Sequence, residues 1–169
     1  MVVSDTNVLT SFAAARGLDI LLRALSVQIV FIPPAVKREI EAGLARHVRH
    51  LQSVLDMMTQ GLIGVLDLTP EDQVRLHLLP PSFGLGEREA VALCQRLNAV
   101  LLCNDHQVLQ YCAHQSIPTL DLPTLLRLLW LKDIVSQAKV RTMIARMEKA
   151  EHLVLRNADR IFTQRRTIE

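Results

Sequence analysis

Asp5, Glu39, Glu87 and Asp105 are the residues of this 169-residue chain whose types and spacing best suit chemistry. Carboxylates crowded at one place repel one another unless a cation neutralises them, and hard oxygen donors suit Mg²⁺ or Mn²⁺. Ions so held can bind a phosphate, activate water and stabilise a leaving oxygen. No lysine or histidine cluster near these positions competes for that role.

Each acid, taken alone, has an ordinary structural explanation. Asp5, within Ser4-Asp5-Thr6-Asn7, and Asp105, after Asn104, both precede helical segments, where Asp is a favoured N-cap. Glu39 sits among Lys37, Arg38 and Glu41 like any exposed helix glutamate, and Glu87 lies in a first turn, where the helix dipole favours an anion. Two aspartates at equivalent strand ends change the balance, because ligands of open parallel sheets bind outside the carboxyl ends of the strands. Glu89 is turned roughly 200° around the helix from Glu87, since each residue advances the axis by about 100°, so only one of the two faces the site squarely.

The elements that must position these acids can be read from periodicity. Residues 1–4 and 27–32 are short apolar runs that read as buried parallel strands, with further strands at 62–68, 100–103 and 117–120. Between them, residues 7–25 carry apolar positions at helical spacing broken by Gly17, predicting one or two crossover helices. A helix beginning near Pro34 carries Glu39, another is expected over 46–60, and Thr69 caps a helix after it. Residues 80–86 read as a loop, a helix runs from about 87 to 97, another over 105–114, and 123–157 is helical. Strands that alternate with helices and return in the same sense require right-handed crossovers. The expectation is one three-layer α/β/α domain over residues 1–150 with a five-stranded parallel sheet and extra C-terminal helices, and then a helical end and basic tail over 151–169.

Composition agrees with that class. Half of the residues are hydrophobic, enough for a sizeable core, while only 4% are aromatic, so the core must be built from Leu, Val, Ile and Ala, as in helices layered on a sheet. Cys94, Cys103 and Cys112 lack any paired metal or redox spacing and read as reduced core residues, a cytoplasmic pattern. No signal peptide is expected, because Asp5 comes after only a few apolar residues. Residues 120–135 are the greasiest stretch, but Asp121, Arg127, Lys132 and Asp133 interrupt it, so no membrane role is implied. A net charge of +2 does not by itself announce a nucleic-acid binder, although basic residues cluster over 37–49 and 156–166.

The motifs S-D-T-N-V-L at the start, P-P-A-V-K-R-E at Glu39, G-E-R-E-A-V-A-L at Glu87 and L-L-C-N-D at Asp105 resemble, in order and spacing, the PIN domain family, especially the VapC-like toxins. The likeness continues through I-P-T-L-D-L-P-T-L-L and L-K-D-I-V, covering most of residues 1–150. The resemblance implies adjacent first and fourth strands, with Asp5 and Asp105 central. It implies a Mg²⁺- or Mn²⁺-dependent endoribonuclease with Asp5, Glu39, Glu87 and Asp105 as the catalytic acids. Asp5, Glu87 and Asp105 would hold the metal, and Asn7 would orient Asp5. Lys37, Arg38, Arg46 and Arg49 are candidates for gripping the RNA backbone, with Arg88 a lesser one. It implies, further, a cognate antitoxin laid over the acidic edge and a homodimer, to whose interface residues 120–135 could contribute.

Cys103 stands where the family often has threonine or serine, and His106 and Gln107 come after Asp105 where another acid is common. Those departures favour one well-held metal over two, and leave a non-catalytic PIN-like module binding RNA or protein as the alternative. His106 reads as structural, and His47 and His50 as surface residues on a basic helix rather than a zinc pair. A phosphoacceptor domain would need a lysine after the last strand and an aspartate after a middle one, which Asp67 and Leu120-Asp121 do not supply.

Overall fold

A computed structural model describes residues 1–151, 155 and 161–163. Five strands, β1 (Val2–Ser4), β2 (Val30–Ile32), β3 (Ile63–Val65), β4 (Val100–Leu102) and β5 (Thr119–Leu120), form one sheet in the order β3-β2-β1-β4-β5. Every pairing is parallel, and the register sets Val3 beside both Phe31 and Leu101. Strand side chains alternate between faces. Val2, Val30, Ile32 and Leu102 therefore enter one core, and Val3, Leu101 and Cys103 the other. The result is the expected three-layer α/β/α architecture.

One core is covered by α1 (Thr6–Ala14), α2 (Leu18–Leu25), α3 (Pro34–Ala45), α4 (Gln52–Thr59), α8 (Leu122–Leu131) and α9 (Gln137–Glu151). The opposite core is covered by α5 (Pro70–Leu76), α6 (Leu85–Leu97) and α7 (His106–His114). In α8 the buried residues Leu122, Leu125, Leu126, Leu129 and Trp130 recur at three- and four-residue spacing, forming the apolar stripe that a sheet-covering helix needs. The greasy stretch at 120–135 thus buries its apolar face inside this chain's own core. Among the described residues no helix is long and apolar enough to cross a membrane. All three cysteines are buried and free.

Several elements differ from their predicted extents for local reasons. Residues 7–25 form two helices because Arg16 takes a left-handed conformation (φ 56°) and the Gly17 N–H turns back to the Phe12 carbonyl. The predicted helix over 46–60 is instead a turn, a short 3₁₀ segment (Arg49–Leu51) and α4. His47 is left-handed (φ 67°), the Val48 N–H closes on the Gly43 carbonyl, and Leu51 lies so close over Gly43 that an added Cβ would meet its Cδ1 at 2.5 Å. That apolar anchor folds the chain back over α3. The 123–157 helical stretch divides at Asp133 (φ 53°). Most of the chain beyond Glu151, including most of the predicted basic tail, lies outside the described residues. Ile161 is nonetheless buried in the core, and its carbonyl accepts the Trp130 indole N–H at 3.0 Å.

Candidate functional site

Neighbouring β1 and β4 end together, and the acids just past them start helices. The Asp5 N–H donates to the Leu102 carbonyl at 3.0 Å, which ties the end of β1 to β4. Asp5 Oδ1 then accepts the Val8 N–H at 3.0 Å as the N-cap of α1. Asp105 caps α7 in the same way, its Oδ1 accepting from Gln107 at 2.8 Å and Val108 at 3.0 Å. Capping therefore accounts for one oxygen of each aspartate, and the second oxygens distinguish them. Asp105 is half-buried, whereas Asp5 is 2% exposed and its Oδ2 is buried without a hydrogen-bond partner among the described residues.

Burial pushes the Asp5 carboxyl up to about 6, opposed by the Val8 N–H, the Cys103 thiol and the Asn104 N–H, and assisted by the charge of Glu87. The thiol and the Asn104 amide ease its ionisation from nearby, but neither makes a hydrogen bond to Oδ2. Cys103 is itself fully buried and held as a neutral thiol, first by burial and then by the neighbouring Asp5 charge.

Glu87 links the cluster. Burial raises its carboxyl above the ordinary value, the Gly84 N–H bonded to its Oε2 at 2.8 Å opposes this, and the charges of Asp105 and Glu39 raise it further. Glu87 thus senses Asp105 and Glu39, and Asp5 senses Glu87. Glu39 is exposed on α3 and its Oε2 accepts the Thr6 hydroxyl. It also lies against Gly86, where an added Cβ would sit 2.9 Å from its Oε1 and 3.2 Å from Val36 Cγ2. A side chain at this position would displace the Glu39 carboxylate from its place against α6 and press on Val36.

These four acids form one electrostatic neighbourhood rather than a finished ligand set. Among the described residues no group of three His, Cys, Asp or Glu side chains is arranged to hold a metal ion. The donors still fit a hard, hydrated cation: a carboxylate oxygen buried without a partner among the described residues is flanked by further carboxylates, and the neighbouring Cys103 thiol is neutral. Mg²⁺ commonly binds through one or two carboxylates and keeps several waters.

The other predicted residues are placed differently. Asn7 is exposed on the first turn of α1 and makes no hydrogen bond to Asp5 among the described residues, and it is Thr6 that enters the cluster. Lys37 pairs with Glu41 at 3.7 Å, and Arg38 reaches Glu89 at 3.4 Å. Arg46 folds onto the Ala42 carbonyl, and Arg49 lines a surface hollow with Arg16, His50 and Ser53. Arg46 lies seven residues beyond Glu39, roughly 10 Å along the helix axis. Arg88 is half-buried and its Nε lacks a partner among the described residues. His106 is exposed at the start of α7.

Thr6, Gly86 and Glu89 are contributors to the site's architecture that spacing did not single out. The one available signal was Pro33-Pro34, a helix start with neither a capping side chain nor a first N–H, which requires a cap from elsewhere. Comparison with family models matches residues 1–161 to one described as a PIN domain. No curated protein matches significantly.

Proposed function

The chain belongs to the PIN domain family, and from that premise we propose that it is a Mg²⁺- or Mn²⁺-dependent endoribonuclease. PIN domains are typically nucleases that use divalent metals. The observation that carries the reading for this chain is Asp5 Oδ2, a buried carboxylate oxygen without a partner at the central strand ends, beside the raised carboxyl of Glu87. In a protein with no cation to hold, such an oxygen is only a cost.

In this reading Asp5, Glu87 and Asp105 would hold the cation, directly or through water, and Glu39 would complete the acidic wall. A bound divalent cation supplies Lewis acidity, lowering the pKa of water and neutralising charge on the phosphoryl oxygens. The protein's own part is positional. The Val8 N–H fixes Asp5, the Gln107 and Val108 N–H groups fix Asp105, the Gly84 N–H fixes Glu87, and the Thr6 hydroxyl fixes Glu39. Each acid is anchored through one oxygen, so the four carboxylates are oriented before substrate arrives, and a cation reaches the buried Asp5 Oδ2 only with local opening of the strand ends. Lys37 and Arg38, near the acids on α3, are better placed to meet the RNA backbone than Arg46 and Arg49.

The VapC resemblance extends the proposal to a toxin restrained by an antitoxin whose basic side chain enters the acidic edge, with homodimerisation as a further expectation. The incomplete ligand set favours one alternative, a catalytically weak module that binds RNA without cutting it. Incubating the purified chain with end-labelled single-stranded RNA separates the two. We expect cleavage with Mn²⁺, none with EDTA, and a loss of about a hundred-fold or more in Asp5→Asn. Unchanged cleavage by Asp5→Asn rejects this site, and RNA binding without cleavage by the parent chain favours the module.

A further inference from the structure

Glu89 is a second glutamate in the same first turns of α6, and its surroundings are unlike those of Glu87. It is 4% exposed, and its Oε2 accepts the Ala35 N–H of α3 at 2.7 Å while Oε1 faces Arg38 Nη2 at 3.4 Å. Helix α3 begins Pro33-Pro34: Pro33 at the N-cap offers no side-chain acceptor, and Pro34 has no N–H. Ala35 therefore carries the first N–H of α3, and Glu89 supplies from another helix the acceptor that the local sequence omits. A carboxylate there also meets the positive end of the helix dipole.

The geometry points to more than capping, and we propose that Glu89 is a positioning residue that clamps α3 to α6 and so sets Glu39 in the acidic cluster. The proposal rests on the nuclease reading above. Ala35 and Glu39 are four residues apart and share a face of α3, while Gly86 and Glu89 are three apart and share a face of α6. Two contacts therefore join the same pair of faces: Glu89 with Ala35, and Gly86 with the Glu39 carboxylate, where an added Cβ would meet Oε1 at 2.9 Å. The first fixes the start of α3, and the second places Glu39 beside Glu87. Arg38 is accordingly committed in part to Glu89 rather than wholly to substrate. One short motif, G-E-R-E, thus supplies Glu87 to the cleft and Glu89, on the other side of the helix, to the frame that carries Glu39.

Two conservative variants separate reach from charge. Glu89→Gln keeps an oxygen at the length needed to accept the Ala35 N–H, and Glu89→Asp keeps the charge on a side chain one methylene shorter. Amide exchange at Ala35 and Glu39, measured by NMR, is expected to accelerate in Glu89→Asp and to stay near the parent rate in Glu89→Gln. With Mn²⁺ and RNA, Glu89→Asp should lower kcat about a hundred-fold with KM unchanged, since misplacement of a catalytic group costs about that much. Glu89→Gln should retain kcat within about ten-fold. In a Glu39→Gln background the loss from Glu89→Asp should largely vanish, because both changes act on one group. Unchanged exchange in Glu89→Asp overturns the proposal, as do independent, additive losses in the double variant. A parent chain that cleaves no RNA defeats the nuclease reading instead, and amide exchange then decides the clamp.

Discussion

Asp5 and Asp105 show how two residues of one type at equivalent strand ends acquire different chemistry. Both cap helices, but Asp5 is buried with one oxygen unpartnered, and its carboxyl is pushed up to about 6 from 3.8. A group whose folded-state pKa exceeds its unfolded value contributes stability that is fully present below the unfolded pKa and lost as pH rises through the folded pKa. In the metal-free protein, stability is therefore expected to fall by up to about 3 kcal/mol as pH rises from about 4 to about 7. Asp5→Asn should flatten most of that slope in urea titrations with EDTA present, while Glu87 and Glu151, whose carboxyls are raised in the same direction, leave a residue of it. Mn²⁺ should restore stability at the upper end of the range, because metal competes with protons for the same oxygen. The positions of these aspartates were legible from strand ends and spacing. The difference between them was not, because burial of Oδ2 depends on how elements distant in sequence pack around the strand ends.

Helix starts carry much of this molecule's local information. Thr69 and Asp72 form a capping box on α5, as the run Thr69-Pro70-Glu71-Asp72 suggests, with Asp72 Oδ2 accepting the Thr69 N–H at 3.0 Å. The sequence alone did not disclose that Asp72 is also fully buried and receives Arg96 at 2.7 Å from α6 and Arg75 at 3.3 Å. A cap has become a link between α5 and the helix that carries Glu87. Asp72→Ala should cost about 2–4 kcal/mol, read as a lower urea midpoint, and Asp72→Asn less, because it keeps an acceptor for Thr69. An unchanged midpoint in Asp72→Ala would reject the link. By contrast α3 has no cap of its own, and its acceptor comes from Glu89, 54 residues away. Periodicity found both helices, but a cap that arrives from a distant element is invisible to any local pattern.

The sheet order β3-β2-β1-β4-β5 puts β1 at the centre, so the first acid of the chain lies beside one that comes a hundred residues later. Right-handed crossovers and parallel pairing make that order reachable from sequence. Closure of the body also draws on the chain beyond α9. Ile161 is buried, Trp130 donates its indole N–H to the Ile161 carbonyl, and Arg141 stacks over the Phe162 ring at 3.9 Å. Ending the chain after Glu151 removes these contacts and should lower stability by about 2–4 kcal/mol in urea denaturation. A truncated chain as stable as the parent would show that this packing contributes nothing.

By itself the sequence determined the alternation of strands and helices and the parallel sheet, and it put Asp5 and Asp105 at strand ends, because periodicity, strand-end position and turn chemistry are local and repeat along the chain. Only the tertiary structure decided which Asp5 oxygen lacks a partner, that Gly86 admits the Glu39 carboxylate, that Thr6 rather than Asn7 enters the cluster, and that Glu89 caps α3. These are contacts between elements distant in sequence. Burial and directional hydrogen bonding arise only when the layers pack.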